Sequence, residues 1–106
     1  MKPGDIVGVQ LSSPREQVWG VLLRLDQSGV ELRGIEMGIF EEWCMQLARG
    51  SDVELGPSTV FFPAHRIERI SLDEQIGAVP SVAQRFKQNT GKEPRDFLAP
   101  KTYLTR

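Results

Sequence analysis

The chain holds one histidine, His65, and one cysteine, Cys44. His65 stands in Pro63-Ala64-His65-Arg66, a break between two apolar runs, with Arg66 beside it and Arg69 a little further on. An imidazole among guanidinium groups offers hydrogen bonds and positive charge to a base or a phosphate. The competing role is structural. An imidazole that bonds a neighbouring backbone group shapes a turn equally well, and the two arginines would then blunt a strand edge or pair with Glu68 of another subunit. Cys44 falls on the apolar side of a helical stretch, with Glu41 its nearest carboxylate, which suits a buried thiol better than a nucleophile paired with His65. The neighbours Asp73-Glu74 and Glu41-Glu42 point apart on a strand or a helix, so neither is an acid/base pair. Trp19, Trp43, Phe61 and Phe62 have the ring area to stack on bases, yet aromatics in alternating segments normally fill a core or a subunit interface. Phosphate-binding glycine loops and metal-ligand spacings are absent from the sequence. The expectation is a protein that binds rather than catalyses, with no cofactor and no metal.

The elements that must position these residues are mostly strands. Asp5 to Leu11 alternates, with Val7, Val9 and Leu11 on one face. From Val18 to Leu25, Trp19, Val21, Leu23 and Leu25 alternate with Val18, Gly20, Leu22 and Arg24, and Asp26-Gln27-Ser28-Gly29 makes a tight hairpin turn into a strand beginning at Val30. There Val30 and Leu32 share a face, but Ile35 and Met37 fall out of step, which puts a bulge or sharp bend at Gly34. Phe40, Trp43, Cys44, Leu47 and Ala48 then recur at helical spacing up to Gly50, predicting a helix over Phe40 to Arg49. Thr59 to Phe62 and Ile67 to Leu72 are two more strands, Ile70 and Leu72 in phase and Ile67 out of it. Ser81 and Gln84 have capping-box spacing, and Val82 with Phe86 carries a last helix to about Gly91. Beyond Pro94 a loosely held tail is expected, with Phe97, Leu98, Tyr103 and Leu104 as docking residues. Five short strands with a bent central pair predict a small barrel over residues 1–78, carrying a helix between strands three and four. Residues 79–106 add a C-terminal helix and basic tail to the same domain.

At 106 residues the chain suits one domain. The formal net charge is −1. It conceals a balance of −5 over residues 1–84 and +4 over residues 85–106, and so scattered a set of cations is expected to lie against its own domain. The lack of a long apolar run or signal-peptide core, and the single cysteine, lead to the expectation of a soluble, cytoplasmic protein without membrane contact.

Two stretches resemble the Sm-like (LSm) family, nearest in spacing to its bacterial Hfq branch. Gly20-Val21-Leu22-Leu23-Arg24-Leu25-Asp26-Gln27 looks like the first Sm motif, a glycine in the second strand followed at fixed spacing by apolar residues and an aspartate opening a hairpin. Phe62-Pro63-Ala64-His65-Arg66-Ile67-Glu68-Arg69-Ile70 is similar to the second, a short strand, a one-turn break and a fifth strand. SH3-like barrels share much of this pattern. The resemblance implies a strongly bent five-stranded barrel, a homo-oligomeric ring, and single-stranded RNA held near Gln27, His65, Arg66 and Arg69. The family's base-contacting asparagine falls at Val30 and the lysine before its histidine at Ala64, so those two contacts do not carry over.

Two functions compete. One is a ring that binds single-stranded RNA, against which stands the acidic sum of identical copies at −1. The other is a protein-interaction or assembly module, suggested by more large apolar residues (Trp19, Phe40, Trp43, Phe61, Phe62) than one small core needs.

Overall fold

The computed structural model describes residues 1–50 and 52–99. The strands are β1 Ile6–Leu11, β2 Glu16–Asp26, β3 Gly29–Glu36, β4 Ser58–Pro63 and β5 Ile67–Leu72; the helices are α1 Phe40–Arg49, α2 Val82–Thr90 and α3 Arg95–Leu98. Single 3-10 turns, Met37–Ile39 and Ala64–Arg66, lead into α1 and join β4 to β5. The five strands form one sheet in the order β4-β3-β2-β1-β5, every pair antiparallel.

Both faces of this sheet are buried. On one, Val7, Val9, Leu11, Val18, Leu22, Val30 and Leu32 pack together, with Val60, Phe62, Ile67 and Ile70 against them. On the other, Trp19, Val21 and Ile35 meet Phe40, Trp43, Cys44 and Leu47 of α1, Phe86 of α2 and Leu98 of α3. The second layer is rich in rings: Trp19 meets Phe40 edge-on at 5.5 Å, and Trp43 lies 5.0 Å from Phe86. Trp19, Phe40 and Trp43 are therefore not surplus to the core, as the sequence suggested. They build a second one.

Two-sided burial also corrects the phase readings. No bulge occurs at Gly34, because the β2–β3 register runs unbroken from Val18 opposite Glu36 to Leu22 opposite Leu32. Ile35 changes face relative to Val30 and Leu32 simply because both faces take apolar residues. The irregularity lies in β2, where Leu23 is left between the paired Leu22 and Arg24, and Leu25 beyond it is exposed rather than sharing the burial of Trp19. In β5 the register slips between Gln10 and Leu11, leaving Glu68 as the extra residue and turning Ile67 inward with Ile70. Leu72 is exposed instead.

Gly34 has a different role. It lies opposite Gly20, and a β-carbon on Gly20 would come within 2.2 Å of the Arg33 carbonyl oxygen and 2.4 Å of the Gly34 α-carbon. Only a pair of glycines lets the two backbones cross this closely. The bend is visible in the connections. The Ala64 N–H donates to Ser28 O and the Ser12 N–H to Arg66 O, each at 2.9 Å, so residues 64–66 bridge from the β2–β3 turn to the β1–β2 loop. Three residues reach about 10 Å at most, whereas a straight β2 would hold those loops about 35 Å apart. The sheet is rolled. Among the described residues no ladder joins β4 to β5, so the roll stays open and the expected barrel is not closed.

The helices follow their local signals. In α1 the Gly50 cap adopts φ 78° and its N–H reaches Gln46 O and Leu47 O. At α2 the Ser81 side chain accepts from Gln84 N while the Gln84 side chain accepts from Ser81 N, a complete capping box. The segment after Pro94 is held as far as it is described: α3 buries Leu98, Phe97 packs edge-on against Trp43, and Arg95 Nη1 donates to Gly4 O at 2.7 Å. Tyr103 and Leu104 lie outside the described residues.

One side chain joins the layers. Asp73, just past β5, accepts hydrogen bonds from Trp19 Nε1 at 3.0 Å and from Val82 N and Ala83 N at 2.8 Å each. A carboxylate here meets the unpaired N–H groups and positive dipole end of α2 while satisfying a buried indole. Asp73→Ala is expected to lower stability by about 2 kcal/mol, and Asp73→Asn by less, measured as the urea midpoint. An unchanged midpoint in the alanine variant would show that the anchor contributes nothing.

Candidate functional site

The four residues expected to meet RNA do not all gather in one place. Gln27 is exposed at the tip of the β2–β3 turn, and His65 is exposed in the 3-10 turn that follows β4. Pairing of Gly29 with Pro63 and the Ala64 to Ser28 bond bring these two segments to one corner. No described residue hydrogen-bonds the His65 ring, so the turn is shaped by its backbone and by Arg66 rather than by the imidazole.

Arg66 is committed elsewhere. Its Nη2 donates to Glu16 Oε1 at 2.7 Å and to Pro14 O at 2.8 Å, its Nε donates to Ser12 O at 3.2 Å, and the guanidinium lies 5.7 Å from the centre of the Phe62 ring. This arginine clamps the β1–β2 loop, which contains a cis Ser13–Pro14 bond, to the β4–β5 turn. It does not offer a free phosphate-binding fork. Arg69 is on β5 opposite Gln10. Adjacent strand residues point to opposite faces, so Arg69 looks away from the Ile70 face, into a groove lined by Gly8, Gln17, Trp19 and Ser71. The expected grouping of His65, Arg66 and Arg69 is thus split three ways by the turn and the strand pleat.

The turn carrying Gln27 is stiffly built. Asp26 Oδ1 accepts from Ser28 Oγ and from Ser28 N at 2.9 Å, and Asp26 also pairs with Arg24. The Ser28 hydroxyl, the Ser28 N–H and the arginine together hold the Asp26 carboxyl down at about 2.

The remaining charges offer no continuous basic track among the described residues. Arg24 also faces Glu31, Arg49 pairs with Glu42, Arg85 with Glu41 and Lys87 with Glu93. From the basic end of the chain, Arg85 reaches Glu41 and Arg95 reaches the Gly4 carbonyl, whereas Lys87 pairs with Glu93 of the same end; Lys101 and Arg106 are outside the described residues. Arg33 Nε is buried with no hydrogen-bond partner. Burial, reinforced by the nearby Glu41 charge, pushes the Cys44 thiol up, and Cys44 sits in the helix-side core while His65 stands in the exposed β4–β5 turn. Among the described residues no group of His, Cys, Asp and Glu is placed to hold a metal. A trough of about 630 Å³ beside Gln10, Arg15, Gln17, Glu36 and Glu68 is shallow and polar. No described helix is long and apolar enough to cross a membrane.

The sheet ends in β4 on one side and β5 on the other, and no strand among the described residues pairs with their outer edges. β4, Ser58-Thr59-Val60-Phe61-Phe62-Pro63, carries no charged residue, and its Phe61 is 44% exposed beneath the Arg24 guanidinium. β5 ends at the exposed Leu72 and runs into a small hairpin in which Ile76 and Val79 exchange backbone hydrogen bonds at 3.0 and 2.9 Å. Ile76 and Val79 form a hairpin not expected from the alternation of the strands, and its signal in the sequence is the pair of β-branched residues flanking Gly77-Ala78.

Two outcomes separate these roles. Arg66→Ala is expected to cost about 2 kcal/mol and Arg69→Ala less than about 0.5, both read from urea unfolding. Equal losses would remove the clamp from the account. Because the folded Asp26 carboxyl lies at about 2 against an ordinary 3.8, its contribution is present above the ordinary value and disappears as pH falls through about 2. Asp26→Asn should flatten that acid limb of the melting temperature and lower the neutral value towards it. Parallel curves for variant and wild type would contradict this.

No protein-family model, curated protein or solved structure matches the chain.

Proposed function

We propose that the chain is a non-enzymatic, Sm-like assembly module whose copies join edge to edge, β4 of one copy on β5 of the next, into a homo-oligomeric ring. The observation that carries this reading is the open roll, whose edge strands, six residues each, have no partner on their outer side among the described residues. Unpaired strand edges present rows of backbone donors and acceptors, and proteins ordinarily blunt them with charge, proline or cover. β4 has only its terminal proline, and its uncharged, aromatic run invites a partner strand. Two different edges on one chain make a head-to-tail contact, which closes into a ring or runs on as a filament according to the rotation between copies. All four ladders within the sheet are antiparallel, and the intermolecular one continues that pattern.

The two Sm-like motifs support the same reading. The short strand, one-turn break and fifth strand implied by Phe62 to Ile70 correspond to β4, the Ala64–Arg66 turn and β5, and Gly20 of the first motif stands at the close crossing with β3.

Single-stranded RNA is the second reading. Gln27 and His65 share an exposed corner that a ring would repeat once per copy, bringing imidazoles and amides together where one copy offers a single pair. The paired cations and the net charge of −1 weigh against strong phosphate attraction.

Light scattering on a size-exclusion peak tests both. The expected mass is several times 11.9 kDa, and Thr59→Lys with Phe61→Lys, which puts charge along the β4 edge, is expected to reduce it to the single-chain value. A monomeric wild type removes the ring. The ratio of 260 to 280 nm absorbance in that peak reports co-purifying nucleic acid, and a protein-only ratio with no shift on adding oligouridylate favours assembly alone.

A further inference from the structure

Resting on that edge pairing, we infer that the copies join with their faces exchanged: the helix side of β4 continues into the interior side of β5 on the next copy, and the exposed Phe61 ring packs on the neighbour's Ile70 and Leu72. The strand order forces the exchange. Four antiparallel ladders lie between β4 and β5, so the two edge strands run in the same sense along the sheet. A β4 edge brought against a β5 edge with like faces together would therefore make a parallel pair. Only turning one copy over makes the joint antiparallel, as every ladder within the copy is.

The exposed side chains fall where that exchange brings them together. Along β4, Val60 and Phe62 pack into the interior of the roll, so Thr59 and Phe61 project to the helix side. Phe61 is 44% exposed, with Arg24 over one face of its ring, 5.6 Å from the centre. On β5, Ile70 and Leu72 stand opposite Val9 and Val7 and share their interior side, and Leu72 is 43% exposed. With like faces together, Phe61 would meet Arg69 and Ser71; with faces exchanged, it meets Ile70 and Leu72. Setting Phe61 opposite Ile70 overlaps residues 59–63 with residues 68–72, places Thr59 opposite Leu72, and leaves Leu72 diagonal to the ring, within reach of an aromatic side chain. Each edge strand carries a single large exposed hydrophobic residue. The exchange lets the two cover each other.

Dilution series followed by light scattering measure the contact. Phe61→Ala and Leu72→Ala are each expected to dissociate at a protein concentration about tenfold above wild type, and the double variant well short of the roughly hundredfold that independent sites would give. Cross-linking reads the faces. A chain carrying Thr59→Cys and Leu72→Cys is expected to form a ladder of linked copies on mild oxidation, whereas Thr59→Cys with Arg69→Cys, the pair that like faces would oppose, forms none; Cys44 is buried and contributes to neither. An assembled wild type with no ladder from the first pair, or with losses at Phe61 and Leu72 that multiply in full, overturns the exchange and leaves the edge pairing standing. A wild type that is monomeric at every concentration overturns both.

Discussion

The close crossing of β2 and β3 at Gly20 and Gly34 is the constraint on which the rest of this structure depends. A sheet of five short strands cannot enclose a core unless it rolls, and the bend needs a place where two backbones approach without β-carbons. With the crossing formed, Val7, Val9 and Leu11 face Val30 and Leu32 across the interior, and three residues of 3-10 turn suffice to connect β4 with β5. The roll also leaves its outer face needing cover. Trp19 and Val21 flank Gly20 on that face, and the three helices close over them.

The cover is fastened by polar contacts at its margin. Asp73 binds the start of α2 and the indole of Trp19 with a single carboxylate, so the end of β5, the middle of β2 and the second helix share one charge. Arg66 does comparable work at the opposite loops, drawing the β1–β2 connection onto the β4–β5 turn. Each stands within a few residues of a free edge strand or on its end. The two edge strands are therefore held in place by groups whose donors and acceptors are already spent inside the copy.

Local signals were legible in the sequence, and pairwise ones were not. The bounds of α1, the capping box of α2, the hairpin turn at Asp26 and the strand at Val7 to Leu11 follow from spacing and turn chemistry alone. The change of phase at Ile35 comes from burial on both faces of β3, which strict alternation does not presume, so Gly34 marks the bend without a bulge; the phase of Ile67 comes from the extra residue Glu68 in β5. The expected grouping of basic residues is not seen, for a related reason. Closeness of His65, Arg66 and Arg69 in sequence suggested one basic surface, but a helical turn followed by a pleated strand with an extra residue at Glu68 sends consecutive side chains in different directions. Asp73 looked like one of two idle carboxylates because its partners, Trp19 and the start of α2, are brought to it only by the fold.

The same comparison bears on function. A phosphate-binding surface requires cations with unspent donors, and here about half of the described cations have an acidic or carbonyl partner within their own chain. A strand-pairing surface requires much less of the side chains. Its donors and acceptors are backbone groups that every sequence carries, and its specificity comes from what flanks them. Phe61 on β4 and Leu72 at the end of β5 are exposed apolar groups on the two edge strands. A chain of net charge −1, with about half of its described cations paired and two strand edges left without a partner strand among the described residues, is better equipped to meet another strand than to meet a polyanion.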